Sequence, residues 1–334
     1  MSSSSFPLLR LPLVALAEII KSFRLRQIVP LSLCSKRLHI VVRKYWNKPS
    51  QWDMNLRVRR DSEIRMFHRG FTHMFRPGFG DSDDLSIRVV SEDIAESWRT
   101  DRIGGKVVKF METERELVTY WEDLAHGTKS IIDYIHHLFG ASVHSVRISE
   151  NITWPLDIVE ERRGTAYMAV IDGVSDEILR NILTNYNPRY LLINPDSPGF
   201  QIENFNKRYD TFVLWFGEWL TLDNLYTLDC KEILCQCKKF NGAELNQYFK
   251  HVLAGGAPRL KRFQVHVRNE EENVMLAGIQ ELLSPIPGKD SVIRENDSLF
   301  LQGKLLIGED SMQVTFTCRR DSYDVDVLLE ICGE

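Results

Sequence analysis

Polar and apolar positions change rhythm three times along the chain. In the first stretch Leu13, Leu16, Ala17, Ile20 and Phe23 recur at the i, i+3, i+4, i+7 spacing of one helix face. Pro12 suits the first turn of such a helix, where its missing N–H is no loss. Gln27 to Cys34 reads as a second, short segment interrupted by Pro30, and Ser35 as the N-cap of a third helix with Leu38, Val41, Val42 and Tyr45 on one side. Three helices this short bury little surface and are marginal alone. They also carry more large aliphatic residues than they can hide from one another, because Leu8, Leu9, Leu11, Ile19, Ile28, Val29, Leu31 and Leu33 join the stripe. Part of that surplus is expected to face a partner.

Lys48-Pro49 closes this first module, giving expected domains of 1–48 and 49–334. In the second stretch, short alternating runs at Asn55 to Arg59, Leu85 to Val90 and Lys106 to Phe110 predict half-buried strands. From about residue 128 strands and helices alternate. Ile131, Ile135, Leu138 and Phe139 predict a helix, and Val143 to Ile148 a strand. Asp176 to Tyr186 is helical behind Ser175, and Arg189 to Ile193 is a strand. Thr211 to Phe216 predicts a buried strand, Leu220 to Leu228 a helix, and Lys231 to Cys237 a strand. Asn241-Gly-Ala-Glu244 has the form of a capping box, opening a helix with Leu245, Phe249, Val252 and Leu253 on its inner face. Leu260 to Val267 is the next strand, followed by a predicted helix through Ile279 and Leu283. Strand–helix units repeating about every thirty residues imply parallel strands with helical crossovers, a leucine-rich-repeat-like pattern without a clean repeat consensus. The last stretch, around Lys304 to Ile307, Gln313 to Thr317 and Asp324 to Leu329, alternates again and predicts antiparallel or edge strands. The expected fold class is α/β: three N-terminal helices followed by an irregular α/β domain.

Composition narrows the function classes. The chain has 334 residues, is 43% hydrophobic and 26% charged, and carries a formal net charge of −4, ordinary values for a soluble globular protein. The run from Phe6 to Ile20 is apolar, but four serines occupy the place of a signal's positive start, and Arg10, Pro12 and Glu18 interrupt it. No segment approaches the roughly 18 to 20 apolar residues of a membrane span, so no membrane partner is expected. Six cysteines, Cys34, Cys230, Cys235, Cys237, Cys318 and Cys332, are too few for a disulfide scaffold in a chain this long. Reduced thiols in the cytoplasm or nucleus fit better.

The ordered series Phe6-Pro7-Leu8-Leu9, Leu11-Pro12, Ile19-Ile20, Ile28-Val29-Pro30-Leu31-Ser32-Leu33-Cys34-Ser35-Lys36-Arg37 and Val41-Val42 resembles an F-box over about residues 5 to 46. Leu38 stands where that family carries an aromatic residue. The resemblance implies docking onto the Skp-type adaptor of an SCF ubiquitin ligase, and through it a cullin. Adaptor contacts are expected from Pro7, Leu8, Leu11, Pro12, Leu16, Ile19, Ile20, Ile28, Leu31, Leu33 and Ser35, the Leu-Pro lead and Ile pair acting as anchors in a groove. Farther on, Trp219, Leu222 and Leu225, then Leu245-Asn246 and Phe249-Lys250, then Pro258-x-Leu260 are similar to the F-box-associated domain, type 2, of the large nematode F-box family, with the best match over 211–270. His251 stands where members of that family often carry tryptophan. That resemblance implies a domain holding an unidentified protein target.

The remaining chemistry points away from catalysis. Cys230, Cys235 and Cys237 lack the C-x-x-C spacing of a zinc site and read as core thiols. His126, His136, His137 and His144 have no acidic partner at a fixed offset and read as surface or packing residues. Asp81-x-Asp83-Asp84 lacks the continuation of a calcium loop, and Glu270-Glu271-Glu272 stands before a helix, where acids are favourable. Gly104-Gly105 and Gly255-Gly256 lack both phosphate-loop frames, and neither a G-x-S-x-G elbow nor H-E-x-x-H occurs. The expectation is a non-enzyme without catalytic residues, metal or cofactor. Lys36, Arg37, Arg43, Lys44, Lys48, Arg57, Arg59 and Arg60, near Tyr45, Trp46 and Trp52, form a counter-candidate for nucleic acid, but the simpler reading is a solvated face. A scaffold binding a peptide or nucleic acid outside ubiquitination is the alternative function.

Overall fold

The computed structural model describes residues 8–46, 52–68, 85–92, 98–103, 106–113, 116–162, 167–170, 173–195, 197, 199–203, 205–236, 240–268, 272–287, 289–295, 298–307, 310–320 and 324–333. Their contacts divide the chain into two compact units, 1–148 with 152–165, and 149–151 with 166–334.

The first unit opens on a 3-10 turn, Leu8–Arg10, and three helices, α1 (Leu13–Ser22), α2 (Leu25–Leu33) and α3 (Lys36–Tyr45). Ser35 Oγ accepts the Leu38 N–H at 3.1 Å, the expected N-cap of α3. Pro12 sits at the N-cap position of α1, one residue before the first turn, and its carbonyl accepts the Leu16 N–H at 2.9 Å. Pro30 does not break the second segment. It lies inside α2, which starts two residues earlier than the periodicity predicts because the Arg24 N–H is met by Gln27 Oε1 at 3.0 Å. A proline forgoes one helical hydrogen bond, and burial of Leu25, Ile28, Val29 and Leu33 around it offsets that loss.

Next come β1 (Trp52–Val58), β2 (Ser62–His68), β3 (Leu85–Val90), β4 (Arg99–Ile103), β5 (Lys106–Glu112), β6 (Glu116–Tyr120), α4 (Leu124–Phe139), β7 (Ser142–Ile148) and α5 (Trp154–Arg162). The strands lie in the order β7-β1-β2-β3-β6-β5-β4, parallel at β7/β1 and β3/β6 and antiparallel elsewhere. One face is apolar, with Met54, Leu56, Val58, Ile64, Met66, Ile87 and Val89 buried. Residues of opposite parity make polar pairs, such as Arg88 with Glu116 at 2.9 Å and Ser145 with Asn55. Helix α4 begins at Asp123, whose carboxylate accepts the His126 N–H at 3.0 Å, and ends at Gly140 with φ 68°. It packs on β2 and β3 and on α3.

The α3/α4 seam is specific. The Ser32 hydroxyl donates to the Val29 carbonyl at 2.6 Å, so the Tyr134 hydroxyl donates to Ser32 Oγ at 2.6 Å. His39 stacks on His137 with centroids 5.3 Å apart, and Trp46 meets Phe139 edge-on at 5.0 Å. Burial first, then the neighbouring His137 and Arg43, holds the His39 imidazole below its ordinary pKa.

The second unit contains β8 (Tyr167–Val170), α6 (Asp176–Asn185), β9 (Tyr190–Ile193), β10 (Arg208–Leu214), α7 (Leu222–Thr227), β11 (Asp229–Cys235), α8 (Gly242–Leu253), β12 (Arg262–Arg268), α9 (Glu272–Met275), β13 (Val292–Glu295), β14 (Ser298–Ile307), β15 (Asp310–Arg320) and β16 (Asp324–Gly333). Strands β8 to β12 are parallel neighbours in sequence order, and β16, β15, β14 and β13 extend the sheet antiparallel beyond β12. This is the strand–helix succession the spacing predicts, a leucine-rich-repeat-like progression closed by hairpins. Register puts Leu191, Phe212, Ile233, Phe263, Leu329, Phe316 and Leu301 in one row, all buried. Phe249 of α8 packs on Phe263 and Phe316, at 5.8 and 5.1 Å. Between β9 and β10, where the described residues form no helix, Phe200 and Phe205 pack on Trp219 instead, at 5.4 and 5.8 Å.

One expected helix is cut short. The pattern predicts it through Ile279 and Leu283, but α9 ends at Met275 and only a 3-10 turn, Gln280–Leu282, follows. Gly278, with φ 72°, turns the chain out of helical geometry. The seam of the first unit supplies a test: Tyr134→Phe removes the donor to a buried serine and should cost about 1 kcal/mol of stability, read as a lowered urea midpoint with unchanged slope.

Candidate docking site

The expected adaptor-contact residues separate by exposure. Pro7 lies outside the described residues. Leu8, Leu11, Ile19, Leu31 and Ser35 are half-buried and Pro12 is exposed. Leu16, Ile20, Ile28 and Leu33 are buried in the first unit's own core. In the chain by itself these four side chains are taken up in packing. Ser35 Oγ is likewise engaged, as the cap of α3.

The exposed apolar surface comes from residues the sequence reading assigned elsewhere or passed over. Leu13, read as part of the core stripe, is 57% exposed; Val14 is 78% exposed, and Ile40 on α3 is 64% exposed. Leu13 and Leu16 share a stripe by spacing, but burial begins one turn into α1, so the first turn stays uncovered. The signal available in the sequence was the run Pro12-Leu13-Val14-Ala15, apolar on all sides of a helix start where an ordinary amphipathic turn would carry a polar residue. The second half of α1 presents a charged surface, with Lys21 and Glu18 paired at 2.7 Å.

The other candidates resolve into packing where they are described. His136 Nδ1 contacts the Ala141 carbonyl at 2.8 Å, His137 lies against His39 and Arg43, His144 faces Asp53 at 3.9 Å, and His126 packs on Trp121. Cys230 and Cys235 are buried, and burial pushes the Cys230 thiol up to about 12, too high for a thiolate at neutral pH. Cys237, Asp81 to Asp84, Gly104-Gly105, Lys48, Glu270 and Glu271 lie outside the described residues. Among the described residues no three His, Cys, Asp or Glu side chains gather as metal ligands would. Trp46 donates its indole N–H to the Phe23 carbonyl at 2.9 Å and stacks on Trp52 at 6.0 Å. Those rings are engaged in packing beside the basic run rather than offered as a stacking platform.

In the second unit the residues behind the second resemblance are mostly core. Trp219, Leu225, Leu245, Phe249 and Leu260 are buried. Asn246 donates to the Met275 and Ala277 carbonyls at 2.7 and 2.8 Å, tying α8 to the segment after β12. A Cβ at Gly256 would run into the His251 ring, so the chain passes close over the imidazole. The capping box is formed: Asn241 Oδ1 accepts from Glu244 N–H, and Glu244 Oε2 from Asn241 N–H, both at 2.9 Å.

A cluster of ion pairs lies where the parallel strands start. Asp210 Oδ1 receives Lys231 Nζ at 2.8 Å and Arg259 Nη2 at 3.1 Å, while Oδ2 receives Arg189 Nε at 2.9 Å and Nη2 at 2.8 Å. Asp229 Oδ2 lies 3.2 Å from Arg259 Nη1 and 3.4 Å from Arg208 Nε. Hydrogen bonding from Lys231, then from Arg189, holds the Asp210 carboxyl at about 2.

Two measurements follow from this geometry. Ile20→Ala should lower unfolding free energy by about 2–5 kcal/mol, whereas Val14→Ser should stay within about 0.5 kcal/mol, both by urea denaturation. Because folded Asp210 titrates below the roughly 3.9 of an unfolded Asp, its contribution is complete above that pH and is lost as pH falls toward 2. A carbon-13 titration should place its midpoint near 2, and Lys231→Met should raise it.

With this geometry in place, comparison with known proteins is direct. Residues 8–49 match the F-box domain family and residues 199–265 the F-box associated family. No curated protein sequence matches the chain. Among solved structures, an S-adenosylmethionine-dependent methyltransferase from Clostridium acetobutylicum ATCC 824 aligns at 13% identity and TM-score 0.13, over 57% of this chain and 67% of that one. DesVI of Streptomyces venezuelae aligns at 12% identity and TM-score 0.14, over 63% and 76%. Likeness at those scores carries no argument about fold or chemistry. The first match coincides with α1 to α3 and the second runs from the segment before β10 into β12, so it is over these two stretches that the chain is similar to the F-box domain and F-box associated families.

Proposed function

We propose that the chain is the target-recognition subunit of an SCF-type ubiquitin ligase. The module 1–48 docks on a Skp-type adaptor and, through it, a cullin; the domain 49–334 holds a protein target. The chain itself performs no bond chemistry; it raises the local concentration of target beside a separate transferring enzyme. It works in the cytoplasm, the nucleus or both. The observation that carries the reading is the uncovered apolar first turn of α1 within a segment matching the F-box domain. Leu13 and Val14 supply the central contacts, and Leu8, Leu11, Pro12, Ile19, Leu31 and Ile40 supply further ones. Leu16, Ile20, Ile28 and Leu33 hold the surface in shape from beneath.

Replacing both Leu13 and Val14 by Asp places charge where apolar contact is needed, on side chains the fold does not use. Adaptor affinity should fall by at least about 2 kcal/mol, the scale of an interface hot spot, in a titration of the full chain with a purified Skp-type adaptor. Undiminished binding by the double variant would refute this docking surface. Ile20→Asp is unsuitable for the same test, since it would weaken binding by unfolding the bundle. Cullin in the adaptor complex separates ligase assembly from a free scaffold role.

A further inference from the structure

Besides Arg262, six cations collect in the first three residues of β9 to β12 or just before them: Arg189, Lys207, Arg208, Lys231, Arg259 and Lys261. The carboxylates paired with them are Asp210 and Asp229. Lys207 donates to neutral acceptors, the Thr184 carbonyl at 2.5 Å and Asn187 Oδ1 at 3.1 Å, so its charge is not cancelled there. Arg262, the first residue of β12, stands in register between Glu232 and Glu330 and adds nothing to the excess. The positive excess therefore belongs to the strand starts, and it occurs in a chain whose formal net charge is −4. The cluster has two tiers. Arg259 is largely enclosed and bridges both carboxylates, a structural tie. The side chains of Arg189 and Arg208 are 76% and 72% exposed.

We infer that this strand-start edge of the second unit is the docking surface for an acidic, carboxylate-bearing peptide segment of the target. Parallel neighbours lie about 4.8 Å apart, so β9 to β12 present cations along roughly 15 Å, the reach of four or five extended residues. Arg189 shows the mode of recognition by directing Nε and Nη2 at one carboxylate, the fork geometry in which arginine outperforms lysine. A target carboxylate exchanges into the outer tier, pairing with Arg189 and Arg208 while Lys231 and Arg259 keep Asp210 in place. The edge lies at the opposite ends of the strands from the exposed Trp215 and Phe216, so the charged contact adds no apolar anchor. Such a contact sets encounter rate and partner choice more than raw affinity.

The inference rests on the reading of 49–334, which includes the second unit, as target-binding, and the test keeps the two apart. The probe is a short fluorescein-labelled peptide of alternating Glu and Ser, titrated into the full chain by fluorescence anisotropy. A Gln/Ser peptide, a phosphoserine peptide of equal charge and single-stranded RNA of equal charge serve as comparisons. Saturable binding of the Glu peptide, weakened steeply by salt and reduced roughly three- to tenfold by Arg189→Gln with Arg208→Gln, supports the inference. It is overturned by equal binding of the Gln peptide, by an undiminished double variant, or by binding of only the phosphopeptide or RNA. Adaptor binding by the same double variant should remain at the parent level. Loss of the peptide with the adaptor retained then places the effect at this edge, whereas a chain that never binds the adaptor fails the ligase reading and leaves the peptide result standing.

Discussion

Helix α4 has to satisfy two neighbours at once, and the first unit is organised by that requirement. Three short helices bury too little to be secure on their own, and the apolar face of the β1–β7 sheet needs cover. One sixteen-residue helix meets both needs: Ile131, Ile132, Ile135, Leu138 and Phe139 are buried along it, while Tyr134 and His137 reach Ser32, His39 and Arg43. The polar contacts of the seam favour one face of the helical module against α4, because the Tyr134 hydroxyl and the His137 ring meet their partners only in that arrangement. The free surface of α1 is free because the opposite side is committed.

The second unit solves a similar problem by repetition. Parallel strands that follow one another in sequence order send their crossovers to one side, and the aromatic row through Phe212, Phe263 and Phe316 is packed by α8 and by the Phe200–Phe205 loop. The strand starts come together at one edge as a by-product, and charges carried at each repeat become a single array. Asp210 draws cations from three different segments there.

Most of this order was legible in the residues. The caps Ser35, Ser175 and Asn241, the α4 face, and the succession from β9 to β12 follow from patterns with a period and a stop signal. What escaped was structure without such a pattern. Strand β4, Arg-Thr-Asp-Arg-Ile, has one large apolar residue and exists by pairing with β5, and α5 lacks a clear stripe. Pro30 misled because a rule about local backbone cost was outweighed by burial on either side of it. The exposed apolar turn of α1 was legible in kind but not in detail. A surplus of aliphatic residues could be counted from sequence, yet deciding that Ile20 goes inward and Val14 outward needs the neighbours that cover one and leave the other bare.

The α4 seam also has a consequence in time. About eighty residues separate α3 from the start of α4, and a ribosome adding roughly 5–20 residues per second takes roughly 4 to 16 seconds to deliver them. During that interval the nascent helical module has left the exit tunnel with its α4-facing side uncovered as well as its outer one. Whatever binds the module then, chaperone or adaptor, meets a looser and more hydrophobic object than the finished protein presents. The order of synthesis thus gives early partners a choice of surfaces that the mature chain no longer offers.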